Sequence, residues 1–125
     1  MANRVILIIE DDANSRKLVR DVLQVKGYQT LECDTAEEGI QLAKSQRPAL
    51  ILMDIQLPGM SGIEALQQLR ADAGTQAIPV IAVTASVMTQ QQTSVLEAGF
   101  DALERKPISV AGLLGKVRRL LEGGR

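Results

Sequence analysis

The stretch Val5-Ile6-Leu7-Ile8-Ile9-Glu10-Asp11-Asp12 carries five apolar residues straight into three acids. Four further runs end in the same manner, on a polar residue able to touch a phosphate or a metal. Thr30 to Cys33 leads to Asp34, Ala49 to Met53 to Asp54, Val80 to Val83 to Thr84, and Asp101 to Arg105 to Lys106-Pro107. If these runs are neighbouring parallel strands, their C-terminal ends lie on one edge of a single sheet, where open α/β folds hold their ligands. Residues far apart in the chain then share one pocket.

The segments between the runs read as helices. Ala13 to Lys26 places Leu18, Val19, Val22, Leu23 and Val25 at helical spacing, and Gly27 stands where a left-handed cap would end it. Asp34 or Thr35 can cap a second helix over Ala36 to Ser45, with Glu37 and Glu38 in its first turn, where the helix dipole favours acids. Pro48 closes that connection, and Ser61 can cap a third helix whose Ile63, Leu66 and Leu69 share one face. A fourth is expected over Val87 to Ala98. Its polar run Thr89 to Ser94 offers little apolar surface, which predicts the least stable helix of the chain. The fifth, Ser109 to Leu121, repeats Val110, Leu113, Leu114, Val117, Leu120 and Leu121. Strands alternating with helices imply βαβ units, a parallel sheet and helices on both faces.

Length and composition narrow the function classes. A chain of 125 residues suits one compact domain, 1–125, and no stretch is long and apolar enough to span a membrane. The N-terminus runs directly into the first strand without a signal-peptide pattern, so a cytoplasmic location is expected. Met1 argues mildly for a complete protein rather than an excised domain. With 14 basic and 15 acidic residues, the net charge of −1 gives no electrostatic case for nucleic-acid binding. Arg16, Lys17, Arg20 and Lys26, and also Lys116, Arg118 and Arg119, read as solvated helix surface. Histidine is absent, which excludes a phosphohistidine donor, a Ser-His-Asp triad and imidazole-held zinc. Cys33 reads as a small buried hydrophobe.

The strand ends define a chemistry. Carboxylates at adjacent ends form a hard oxygen site suited to Mg²⁺, which commonly bridges to a phosphate. Asp54 can ligate the metal with one oxygen and attack phosphorus with the other, forming an acyl phosphate. The negative charge on a transferring phosphoryl group calls for a cation and hydrogen-bond donors on the far side, places suited to Lys106 and Thr84. Each of these residues taken singly is more often structural than functional; their order along the chain shifts the balance.

That order resembles the receiver domain of two-component response regulators over the whole chain. The matching motifs are Ile8-Ile9-Glu10-Asp11-Asp12, Leu52 to Gly62 with Asp54 and Pro58-Gly59 inside it, Val83-Thr84-Ala85 and Lys106-Pro107-Ile108. The resemblance implies a doubly wound five-stranded parallel sheet of the flavodoxin-like order 2-1-3-4-5. It implies Asp54 as phosphoacceptor, Asp11 as a direct Mg²⁺ ligand, Glu10 as a second acid holding the metal through water, and the Gln56 backbone carbonyl as a further ligand. Thr84 and Lys106 would contact the phosphoryl group, and the Lys106-Pro107 bond is expected to be cis. The implied partners are a sensor histidine kinase or a histidine phosphotransfer protein, and a downstream protein meeting the face formed by the fourth helix, fifth strand and fifth helix. One position departs from the family: Leu103 stands where a Tyr or Phe usually takes part in switching.

Three other classes fit less well. Haloacid-dehalogenase-type phosphatases carry a second Asp two residues after the nucleophile, where this chain has Gln56. A flavin or nucleotide carrier wants a glycine-rich phosphate loop after the first strand, and Glu10-Asp11-Asp12 would repel a phosphate. A degenerate receiver serving as a constitutive docking module should have lost its acids and lysine, which are intact. The reading is therefore a stand-alone phosphoacceptor switch that catalyses its own phosphorylation and slow dephosphorylation, rather than an enzyme acting on a separate substrate.

Overall fold

The alternation of strand and helix is realised in the computed structural model, which describes residues 4–57, 59–85 and 97–123. In chain order the elements are β1 (Val5–Ile9), α1 (Ala13–Val25), β2 (Gln29–Cys33), α2 (Ala36–Gln46), β3 (Leu50–Asp54), α3 (Gly62–Ala71), β4 (Val80–Thr84), β5 (Ala102–Arg105) and α4 (Val110–Gly123). The expected helix over Val87 to Ala98 falls largely outside the described residues, so α4 is the helix read from sequence as the fifth. All four strand pairings are parallel and the order is β2-β1-β3-β4-β5, the flavodoxin-like order.

Side chains alternate across the sheet and build two cores. Leu7 and Ile9 of β1, with Ile51 and Met53 of β3, pack towards Ile40 of α2 and Leu66 and Leu69 of α3. Ile6, Ile8, Leu50 and Leu52 point the other way, onto Val19 and Leu23 of α1 and Leu113 and Val117 of α4. Both faces of the central strands are covered. This explains why β1, β3 and β4 read as unbroken apolar runs rather than alternating ones.

Local signals set the helix ends. Asp12 caps α1 by accepting from the Ser15 N–H, Thr35 rather than Asp34 caps α2 through the Glu38 N–H, and Ser61 caps α3 through the Glu64 N–H. At the end of α1, Gly27 takes φ +91°; its N–H bonds the Gln24 carbonyl, and the Tyr28 N–H bonds the Leu23 carbonyl. This pair of bonds is a Schellman motif, and the positive φ is why glycine stands there. α2 ends on Arg47 in the left-handed region at φ 47°, one residue before Pro48.

One glycine bears directly on the sheet edge where the runs of acids converge. A Cβ on Gly62 would lie 2.6 Å from the Ile55 Cα, in the loop that leaves β3 just after Asp54. Backbone cannot give way as a side-chain tip can. Gly62→Ala should therefore destabilise the protein by about 1–3 kcal/mol through overpacking, outweighing the ~1 kcal/mol that Ala gains over Gly inside a helix. Chemical denaturation checks the sign, since a more stable variant would mean that α3 can move away from Ile55.

Candidate functional site

The register of the sheet assembles the polar strand ends. Ile9 pairs with Met53, so the next residues, Glu10 and Asp54, stand side by side on adjacent strands. Asp54 pairs with Val83, placing Thr84 one step further along the edge, and Thr84 pairs with Arg105. Lys106 follows, its N–H bonded to the Thr84 carbonyl at 2.8 Å, and the Lys106-Pro107 peptide is cis as expected. Four residues from four strand ends thus meet, with Asp11 contributed as a fifth by the β1–α1 turn.

Carboxylate oxygens of Glu10, Asp11 and Asp54 all lie within 4.8 Å of one another. Glu10 and Asp54 are each only 4% exposed, whereas Asp11 faces solvent. The Lys106 ammonium bridges the buried pair, 2.8 Å from Glu10 Oε1 and 3.0 Å from Asp54 Oδ2. The second oxygen of each is held by backbone: Glu10 Oε2 accepts the Asp12 N–H at 3.1 Å, and Asp54 Oδ1 accepts the Gln56 N–H at 2.8 Å. The Gln56 side chain turns the other way, its Oε1 accepting the Ala85 N–H at 3.3 Å. Thr84 is buried at the same edge. Asp12, third of the acid run, is occupied as the α1 cap, accepting from both the N–H and the hydroxyl of Ser15.

The charges do not cancel. Burial pushes the Glu10 carboxyl up to about 7; Lys106 pulls it down, and the neighbouring Asp54 pushes it up again. Burial acts to lower the Lys106 ammonium, but its contacts with Glu10 and Asp54 outweigh that and hold it above the ordinary lysine value. Three carboxylates against one ammonium leave the cluster short of positive charge. Its donors are all hard oxygens, and oxygen ligands about 2.1 Å from a Mg²⁺ ion reach about 4.2 Å across it. A set within 4.8 Å matches that span when one ligand acts through water. The residues fit the metal.

Three comparisons with known proteins show the family of the chain and its fold. Residues 6–118 match the response regulator receiver domain family, and the chain belongs to it. It is 40% identical to the polar-differentiation response regulator DivK of Brucella anthropi, over 93% of this chain and 94% of that one. Among solved structures it is similar to a CheY-like response regulator receiver domain protein from Methanospirillum hungatei, with 30% identity, a TM-score of 0.88 and coverage of 98% and 96% of the two chains. The receiver domain of a sensor histidine kinase from Pseudomonas aeruginosa, solved with a magnesium ion coordinated in its active-site cleft, is 28% identical with a TM-score of 0.88 over 96% and 98%. Receivers act in two-component signalling, and the family binds Mg²⁺. Among the described residues no helix is long and apolar enough to cross a membrane.

The structure corrects the reading of the basic residues. Lys17, Lys26, Arg118 and Arg119 are exposed as expected, but Arg16 and Arg20 are half-buried against Glu32, and Lys116 pairs at 2.7 Å with Glu104, itself only 5% exposed. Glu104 also accepts the Ser109 N–H at 3.3 Å, so it ties β5 to α4 across the loop that carries Lys106. The available signal was parity: Glu104 lies two residues from buried Ala102 on one strand, and a carboxylate on an inward position requires a partner. Cys33 is buried as expected, and burial, with Glu38 nearby, pushes its thiol up to about 12.

Metal affinity should follow the Glu10 proton. The metal competes with that proton, so affinity for Mg²⁺ should rise with pH up to about 7 and level off above it. Calorimetric titrations from pH 6 to 8 check this, and Glu10→Gln should flatten the dependence while weakening binding. A slope that survives Glu10→Gln would assign the proton to another group.

Proposed function

We propose that this chain is a single receiver unit, 1–125, that takes a phosphoryl group from a phosphohistidine onto Asp54 and thereby changes its binding to a downstream protein. The observation carrying this reading is the convergence of Asp54, Glu10, Asp11 and Lys106 at one sheet edge, with Lys106 3.0 Å from Asp54. The donor is a sensor histidine kinase or a histidine phosphotransfer protein. The setting is the cytoplasm, where such donors present their phosphohistidine. The downstream partner meets the face that includes β5 and α4.

Glu10, Asp11, Asp54 and the Gln56 carbonyl would hold Mg²⁺, which supplies positive charge against the phosphoryl oxygens when bound. The residues of the chain do the rest. The Gln56 N–H on Oδ1 and Lys106 on Oδ2 fix the plane of the Asp54 carboxylate, so the nucleophile needs no reorientation before attack. One Asp54 oxygen then forms the P–O bond as the P–N bond to the donor imidazole breaks, and the leaving imidazole takes up a proton. Lys106 follows the charge from the carboxylate to the phosphoryl oxygens, and Thr84 on the neighbouring strand supplies a hydroxyl donor to the same oxygens. Hydrolysis of the acyl phosphate resets the switch.

Incubation with acetyl phosphate and Mg²⁺ should add a single phosphate by mass spectrometry, labile in the manner of acyl phosphates, and Asp54→Asn should abolish it. Equal labelling of the Asn variant would remove Asp54 from the role. An unlabelled wild type would favour a docking module without phosphoryl chemistry. Mg²⁺ should also raise the melting temperature of wild type, with most of that gain lost in Asp11→Ala.

A further inference from the structure

Arg16 occupies an awkward place electrostatically. It lies in the first turn of α1, where the helix dipole disfavours a cation, and beside a cluster proposed to hold a divalent metal. Its contacts there are directed ones. Nη1 donates to the Glu10 carbonyl at 2.8 Å, and Nε lies 3.6 Å from Oε1 of Glu32, the β2 residue paired in register with Ile8. Arg20 approaches the other oxygen of Glu32 at 3.4 Å.

The Glu10 carbonyl belongs to the peptide that joins Glu10 to Asp11. The N–H of Glu10 is already bonded to the Cys33 carbonyl of β2 at 3.1 Å. With Arg16 on the carbonyl, both backbone polar groups of Glu10 are held from outside the turn, and the plane of the Glu10-Asp11 peptide is fixed. That plane sets the direction in which the Asp11 side chain leaves an otherwise exposed turn.

We propose that Arg16, charge-balanced by Glu32, is a positioning residue that orients the Glu10-Asp11 pair for a divalent cation. The proposal rests on the assignment of those two acids as metal ligands. Two effects of the guanidinium oppose each other. Its charge repels a bound cation, and its hydrogen bond holds the ligands in place. Glu32 offsets the charge, while partners that orient ligands are commonly worth about 10–100-fold in metal affinity. The hold therefore outweighs the repulsion.

Calorimetric titration with Mg²⁺ alone, on folded protein without a phosphoryl donor, separates the two effects by sign. Arg16→Met keeps much of the side-chain stem and removes the guanidinium. Positioning predicts roughly tenfold weaker binding, whereas charge alone predicts tighter binding. Arg16→Lys keeps the charge and one donor, and should recover part of the loss. Glu32→Gln leaves Arg16 uncompensated and should weaken Mg²⁺ severalfold, which tests the arrangement without touching α1. A merely structural Arg16 would lower the metal-free melting temperature and leave the affinity of the folded protein unchanged. Affinity unchanged or increased in Arg16→Met overturns the proposal while leaving the metal site standing. A wild type that binds no Mg²⁺ overturns both.

Discussion

Parallel pairing of β1 with β3 forces Glu10 and Asp54 into adjacent, buried positions, and the Lys106 ammonium between them is what makes that tolerable. Like charges a few ångströms apart in a poorly solvated site repel strongly unless a counter-charge or a proton intervenes. Lys106 supplies the first, at 2.8 and 3.0 Å; burial still pushes the Glu10 carboxyl up to about 7, and Asp54 adds to that rise. The sheet thus has its central strand ends under electrostatic load before any ligand arrives. A cation binding there relieves a stress the fold has already built in.

Much of this was legible in the sequence because the signals were redundant. The runs of β1, β3, β4 and β5 ended in residues that share the sheet edge, and their order named that edge where single residues could not; Asp34, after β2, is exposed and lies outside the acid cluster. Of the caps, Ser61 and Thr35 followed from the sequence, each meeting the N–H three residues on, whereas Asp12, read as the third of the acid run, is found capping α1. Strand and helix limits moved by a residue or two, as at Gln46, where the helix runs on to a left-handed Arg47 before Pro48 stops the chain.

The pairings between basic and acidic residues were not legible, and the reason is physical. Arg16, Arg20 and Lys116 look like any solvated helix cations, because what buries them is the position of Glu32 and Glu104 on strands 12 to 16 residues away. Such contacts depend on how the helix rotates over the sheet, which apolar periodicity fixes only to within a face. Likewise Gln56 was read for its backbone carbonyl, while its N–H orients Asp54 and its side chain reaches Ala85. Loop geometry after β3 decides that, and a Cβ at Gly62 would collide with it.

The Glu104 carboxylate, committed to Lys116 and to the start of α4, acts as a latch on the register of that helix. Sliding α4 along the sheet by one turn, about 5.4 Å, would strand a buried charge, at a cost of about 3–5 kcal/mol. Rotating it about its own axis would do the same. β5 and the start of α4 are therefore tied to each other through this one carboxylate, which gives a shift of the strand end at Lys106 a direct route to the helix.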